Sequence, residues 1–213
     1  MKKIYIAASL LIFITGCELG NNSNNSYSYT ADVVNPYTKK ISSGVLEPSD
    51  LTLLKDFDSG EFDTIKYLDS TKLKTECIVN NVRDLPIECA DSTASTGKAN
   101  CIVYSSALEN AAHSNTNDIA SVDDYTYSTK SAKELANSSG YNGNDVIKTS
   151  LSFYFDSDDK DRIMTKVVEE AIKSTNGSCS VFMDKDMTNY GMSFTTKEIN
   201  GRKKVFATIM LGN

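Results

Sequence analysis

The last quarter of the chain carries its tightest local constraint. Tyr190, Met192 and Phe194 alternate, Asn200-Gly201 follows, and Val205 to Leu211 is an apolar run. Asn-Gly is a strong hairpin signal, because both central residues of a type I′ turn need positive φ. The stretch therefore predicts two antiparallel strands, the second apolar enough to be largely buried. A buried strand needs partners, and the preceding residues supply helices. Ser106-x-x-Glu109 has the form of a capping box. It opens a helix with Ala107, Leu108, Ala111, Ala112, Ile119 and Ala120 mostly on one face. A second helix is expected over Ser131 to Asn137, stopping near Gly140. A third runs from about Asp159 to Ser174, with Ile163, Met164, Val167, Val168, Ala171 and Ile172 inward and Asn176-Gly177 as its stop. Ile78, Val79 and Val82 predict a short helix before Pro86, and "LTLLKDF" another able to pack on the main domain. Helices followed by a terminal hairpin point to an α+β layered domain.

The 213 residues allow one such domain plus a leader and a tether. Lys2 and Lys3 precede a short apolar run, Ile4 to Ile14. That run is roughly half of the about 20 residues that span a bilayer, so it reads as a secretion signal. It ends Ile14-Thr15-Gly16-Cys17, which resembles the bacterial lipobox. The resemblance implies a signal peptide over residues 1–16 and diacylation of Cys17 as the new N-terminus, the membrane being the first partner. Acyl chains partition at about 0.8 kcal/mol per CH₂, and more than one gives stable anchoring. Glu18, where an Asp would favour inner-membrane retention, leans towards the outer membrane. "GNNSNNSYSYT" reads as a flexible tether, set here at residues 17–45. Residues 46–75 are an N-terminal extension of uncertain role, and 76–213 are the domain.

Formal net charge is −6, with 22 Lys+Arg against 28 Asp+Glu, and loss of Lys2 and Lys3 takes it to −8. No basic stripe with interleaved aromatics appears, which argues against nucleic acid as a partner. Four cysteines follow Cys17: Cys77, Cys89, Cys101 and Cys179. Outside the cytoplasm an even number suggests two disulfides, in any of three connectivities. Spacings of 12, 12 and 78 contain no Cys-x-x-Cys pair, so a thiolate metal site is not expected. "DSDDKDR", Asp156 to Arg162, lacks the alternation of a calcium loop, because Lys160 interrupts it. It reads as a solvated acidic loop capping the third helix. Asp123 and Asp124 are a candidate carboxylate pair.

Five stretches in order resemble the CAP superfamily, which includes cysteine-rich secretory proteins, insect venom antigens, plant pathogenesis-related proteins and many bacterial secreted proteins. They are "CIVNNVRDLPIEC", "YSSALENAAHSNTNDIAS", "AKELANSSGY", "VVEEAIKSTNGSCSVFMDKDMTNYGMSF" and "FATIMLG", together about Glu76 to Gly212. The resemblance implies an α-β-α sandwich with a central antiparallel sheet and a C-terminal hairpin. It also implies Cys89–Cys179, the second pair then being Cys77–Cys101. A bridge closing a loop of about 90 residues adds roughly 4 kcal/mol on a chain-entropy account. CAP cavities typically hold two histidines and one or two glutamates. Here the matching positions are Tyr127, Lys148 and Ser178, a degenerate set without a ligand imidazole, and no metal or other cofactor is expected. The sole histidine, His113, matches a helix position outside that cavity, so a structural bond to a neighbouring loop is expected. No Gly-x-Ser-x-Gly elbow surrounds any serine. The reading is a non-catalytic envelope lipoprotein acting as a binding or protein-interaction module. The alternatives are a carrier for a small apolar ligand or lipid, and an envelope hydrolase using His113 in a cleft.

Overall fold

A computed structural model describes residues 51–59, 71–90 and 99–213. The leader, Cys17, the tether and the whole acyl-anchor reading lie outside them. The elements are α1 (Leu53–Ser59), α2 (Thr71–Arg83), β1 (Val103–Tyr104), α3 (Ser106–Val122), α4 (Ala132–Ser138), β2 (Val146–Tyr154), α5 (Lys160–Lys173), α6 (Ser178–Phe182), β3 (Asn189–Ile199) and β4 (Arg202–Gly212). Among the described residues no helix is long and apolar enough to cross a membrane.

The hairpin forms in the expected place. Asn200 and Gly201 take φ of 53° and 72°, both left-handed, and Ile199 pairs with Arg202. The twist of such a turn matches that of the strands it joins. Strand order is β1-β3-β4-β2. Three strands are antiparallel, but β1 pairs parallel to β3 through Val103–Asn189 and Tyr104–Tyr190. The sheet is therefore mixed rather than wholly antiparallel. The parallel strand is two residues long because Ser105 at once becomes the cap of α3.

β4 has no solvent face. Val205, Ala207, Ile209 and Leu211 enter a core shared with α1, α2, α5 and α6. Met210 enters a smaller core with Leu108, Ala111 and Ala112 of α3 and Leu135 and Ala136 of α4. Two covered faces make a three-layer α-β-α arrangement, in an α+β fold. Helix α1 belongs to the larger core: Leu51 and Leu53 are fully buried, and the Leu54 amide donates to Glu169 of α5 at 3.0 Å.

Helix ends follow side-chain capping chemistry. The cap of α3 is Ser105, not Ser106, its hydroxyl accepting from the Leu108 amide. Glu109 is thereby free of the expected box and bonds elsewhere. A reciprocal capping box does form at Ser131 and Glu134. Asp159 caps α5, accepting from the Asp161 and Arg162 amides at 2.9 and 3.3 Å, as the acidic loop predicts. Helix α5 ends at Lys173, and Gly177 (φ 94°) turns the chain into α6.

One contact sets how closely α3 lies on the sheet. A Cβ on Gly191 would overlap the backbone of Leu108 and Glu109. The helix rests directly on the strand, so no other residue fits without displacing it. Gly191→Ala should therefore destabilise the protein by about 2–3 kcal/mol, as overpacking does. A denaturant midpoint shifted by that amount supports the packing, and an unchanged midpoint contradicts it.

Candidate functional site

Two concave regions lie at the two edges of the sheet. The first contains the positions read from the sequence. Tyr127 and Lys148 line a cleft of about 280 Å³ with Tyr125, Ser128, Thr149 and Asn176. Ser178 sits just beneath it. Its hydroxyl donates to Asn176 Oδ1 at 2.7 Å and takes a bond from Thr149 at 2.6 Å. The three positions read from the sequence thus converge on the edge strand β2.

Lys148 occupies the middle of this cleft. Its ammonium donates to Asn115 Oδ1 at 2.8 Å, Ser128 Oγ at 2.5 Å and the Lys130 carbonyl at 3.0 Å. An ammonium has three protons, and all three are used. Asn115 of α3 is 2% exposed and completes the network, its amide donating to Ser150 and Thr208. Burial lowers the Lys148 pKa, and the Asp118 charge opposes that. A divalent ion does not fit here: the side chains offer hydroxyls, an amide and a cation, with no imidazole or carboxylate. Among the described residues no group of three or more His, Cys, Asp and Glu side chains is placed to hold a metal ion.

His113 lies outside this cleft, exposed on α3. Its Nδ1 meets Ser193 Oγ at 3.3 Å, and its Nε2 meets the Asn117 amide nitrogen at 3.1 Å. The Asn117 amide can only donate, so Nε2 accepts and Nδ1–H donates to Ser193. The bond runs to strand β3 and along its own helix rather than to a loop. Asp123 and Asp124 do not act as a pair. Asp123 bonds Lys204 at 2.7 Å, while Asp124 accepts from the Thr126 hydroxyl and amide, which hold its pKa down.

The second region is larger, about 570 Å³, and no sequence pattern pointed to it. It is lined by Lys72 and Thr75 of α2, Tyr104, Glu109, Lys160 and Met164 of α5, and β3 from Met192 to Thr196. Tyr104 donates its hydroxyl to Glu109 Oε2, the bond that replaces the expected capping box. Lys72 Nζ lies 3.3 Å from the Tyr104 ring centre, a cation–π contact. Tyr190 also lines this cavity, packed edge-on to Tyr104 at 6.0 Å. It is 2% exposed, and among the described residues its hydroxyl has no hydrogen-bond partner. Burial, then the Glu76 charge, raises its pKa. Glu76 is itself raised by burial, while the Tyr104 amide opposes that.

The cysteines depart from expectation in one respect. Cys89 and Cys179 are bridged, with Cα atoms 5.6 Å apart. Cys77 is a free, buried thiol, so the expected Cys77–Cys101 pair is not formed. Cys101 is disulfide-bonded, but not to Cys77, and beside it the Asn80 side chain bonds both the amide and the carbonyl of Ile102 at 2.9 and 3.0 Å. That turns Ile102 into the core and Cys101 outward, while Cys77 faces the core and accepts from Asn81.

Two predictions follow from these networks. Replacing Lys148 with Met removes three bonds and should cost about 1–3 kcal/mol. Hydrogen exchange should accelerate at Ser128 to Lys130, and unchanged exchange there contradicts a restraint by the Lys148 bonds. Burial pushes the Cys77 thiol up to about 11, so at pH 8 the native protein should leave Cys77 unalkylated. Guanidinium without reductant should expose it. Peptide mass mapping checks this, and labelling of native Cys77 would contradict it.

No family model matches the sequence, and no curated protein matches it.

Proposed function

We propose that this chain is a lipid-anchored protein of the bacterial cell envelope, displaying a divergent CAP-like domain that binds a partner protein and does not catalyse. The carrying observation is Lys148. At the position where the resemblance places a ligand carboxylate, an ammonium spends all three protons on the protein itself. Tyr127 and Ser178 stand where the resemblance places histidines. A site with neither metal ligands nor a free base is suited to binding rather than to hydrolysis. The Cys89–Cys179 bridge and the hairpin-terminated sheet support the CAP-like reading, since both are features the resemblance implies.

A partner protein is favoured over an apolar ligand by the larger cavity. Lys72, Glu109 and Lys160 stand in its walls. Charged groups next to a hydrocarbon ligand would lose hydration without compensation. Anchoring rests on the Ile14-Thr15-Gly16-Cys17 stretch, and Glu18 favours the outer membrane.

The anchor is tested by Cys17→Ser in cells fed radiolabelled palmitate. Wild type should take up label and sediment with membranes. The variant should lose the label and appear in the soluble periplasmic fraction. A variant that stays labelled and membrane-bound would overturn the lipoprotein reading.

A further inference from the structure

We infer that the open edge of β3 is a docking site for an extended peptide of a partner protein, which pairs with Met192 to Thr196 and sets an uncharged oxygen acceptor against the Tyr190 hydroxyl. This deepens the interaction-module reading and rests on it.

The backbone supplies the first part of the case. The Ser105 amide donates to the Tyr190 carbonyl at 2.7 Å, so the main-chain groups of Tyr190 point towards β1, away from β4. Direction alternates along a strand. Met192, Phe194 and Thr196 therefore also direct their amides and carbonyls outward. Among the described residues no strand pairs with them on that side, because β1 covers only Asn189 and Tyr190. An unpaired strand edge is a template for another chain.

The cavity supplies the second part. It is lined by Tyr190, Met192 and Phe194 from one face of the sheet and by Ser193, Thr195 and Glu109 from the other. A cavity reaches both faces of a sheet only by sitting astride an edge. It therefore occupies the space into which a strand beside β3 would extend. At its inner end is Tyr190, among the described residues a buried donor without an acceptor, and such a donor is destabilising until it is satisfied. Charge sets the class of acceptor. Glu109 stands in the same wall and the Glu76 charge acts on the Tyr190 phenol, so an uncharged acceptor adds no like charge beside them. A main-chain carbonyl or an Asn or Gln carboxamide fits. Strand addition of this kind draws affinity from main-chain bonds and specificity from pockets for alternate side chains.

The test is selection from a randomised dodecapeptide library displayed on phage, against the full mature chain carrying Cys17→Ser. Enriched peptides are then synthesised and titrated. Binding should weaken roughly tenfold with Tyr190→Phe, as for one lost buried hydrogen bond. It should weaken at least tenfold with Thr196→Pro, which removes one outward amide at an exposed edge position. Peptides N-methylated at alternate residues should bind at least tenfold more weakly in one register only. This arm needs no change to the protein, so it stands even if a variant fails to fold. Failure to enrich any peptide overturns the proposal, and so does binding indifferent to N-methylation. Binding lost with Lys148→Met but not with Thr196→Pro moves the site to the other cleft: it overturns the edge proposal while leaving the interaction module standing.

Discussion

Strand β4 must be covered on both faces, and most of the architecture follows from that requirement. Its odd-numbered residues, Val205 to Leu211, and its even-numbered ones, Phe206 to Met210, are all completely buried. At about 25 cal/mol per Å² of apolar surface, exposing either row would be costly. Helices α5 and α6 close one side, and α3 with α4 closes the other. Gly191 lets α3 approach closely enough to do so. Coverage of the faces leaves only the edges of the sheet for binding. Both concave regions are found there, the Lys148 cleft along β2 and the Tyr190 cavity along β3.

The irregular segments depend on a second device. Arg83 is fully buried at the end of α2, and among the described residues no carboxylate is hydrogen-bonded to it. Its guanidinium donates to the carbonyls of Asn100, Phe182 and Asp184. Burial lowers its pKa to about 10, and the Asp184 charge partly offsets this. A buried cation is tolerated only when its donors are satisfied, and here the acceptors are the chain segments that regular structure does not hold. Arg83 thereby joins α2, the segment entering β1 and the turn after α6. The Cys89–Cys179 bridge ties α6 to the residues just after α2. Together they fix β1 beside β3, and with it the point where β3 pairing stops.

Much of this fold was legible because helices and hairpins announce themselves locally. The α3 and α5 faces, the Asp159 cap and the Asn200-Gly201 turn all follow from short-range rules. Strand β2 also carries a signal, Ile147, Leu151 and Phe153 alternating with Lys148, Ser150 and Ser152. The parallel pairing of β1 had none, since two residues cannot show a period. Cys77 and Cys101 show the limit of assigning a leftover pair: in the fold Cys77 is a free thiol in the core, while Cys101 is turned outward and bridged elsewhere. Glu109 is similar. In sequence it completes a capping box with Ser106, and in the fold it accepts the Tyr104 hydroxyl. The larger cavity was invisible for the same reason, its lining coming from five separate stretches of chain. The smaller cleft was found because a resemblance named its positions, and their chemistry, once assembled, is that of a closed hydrogen-bond network.

The central claim is that this cleft is held by its own side chains and not by an ion. The most direct measurement is a two-dimensional NMR titration of the Cys17→Ser chain with Zn²⁺ at neutral pH. The account predicts unchanged amide shifts for Asn115, Tyr127, Lys148 and Ser178 at one equivalent, because hydroxyls and an ammonium do not ligate zinc competitively. Shifts at those residues that saturate at one equivalent would contradict it.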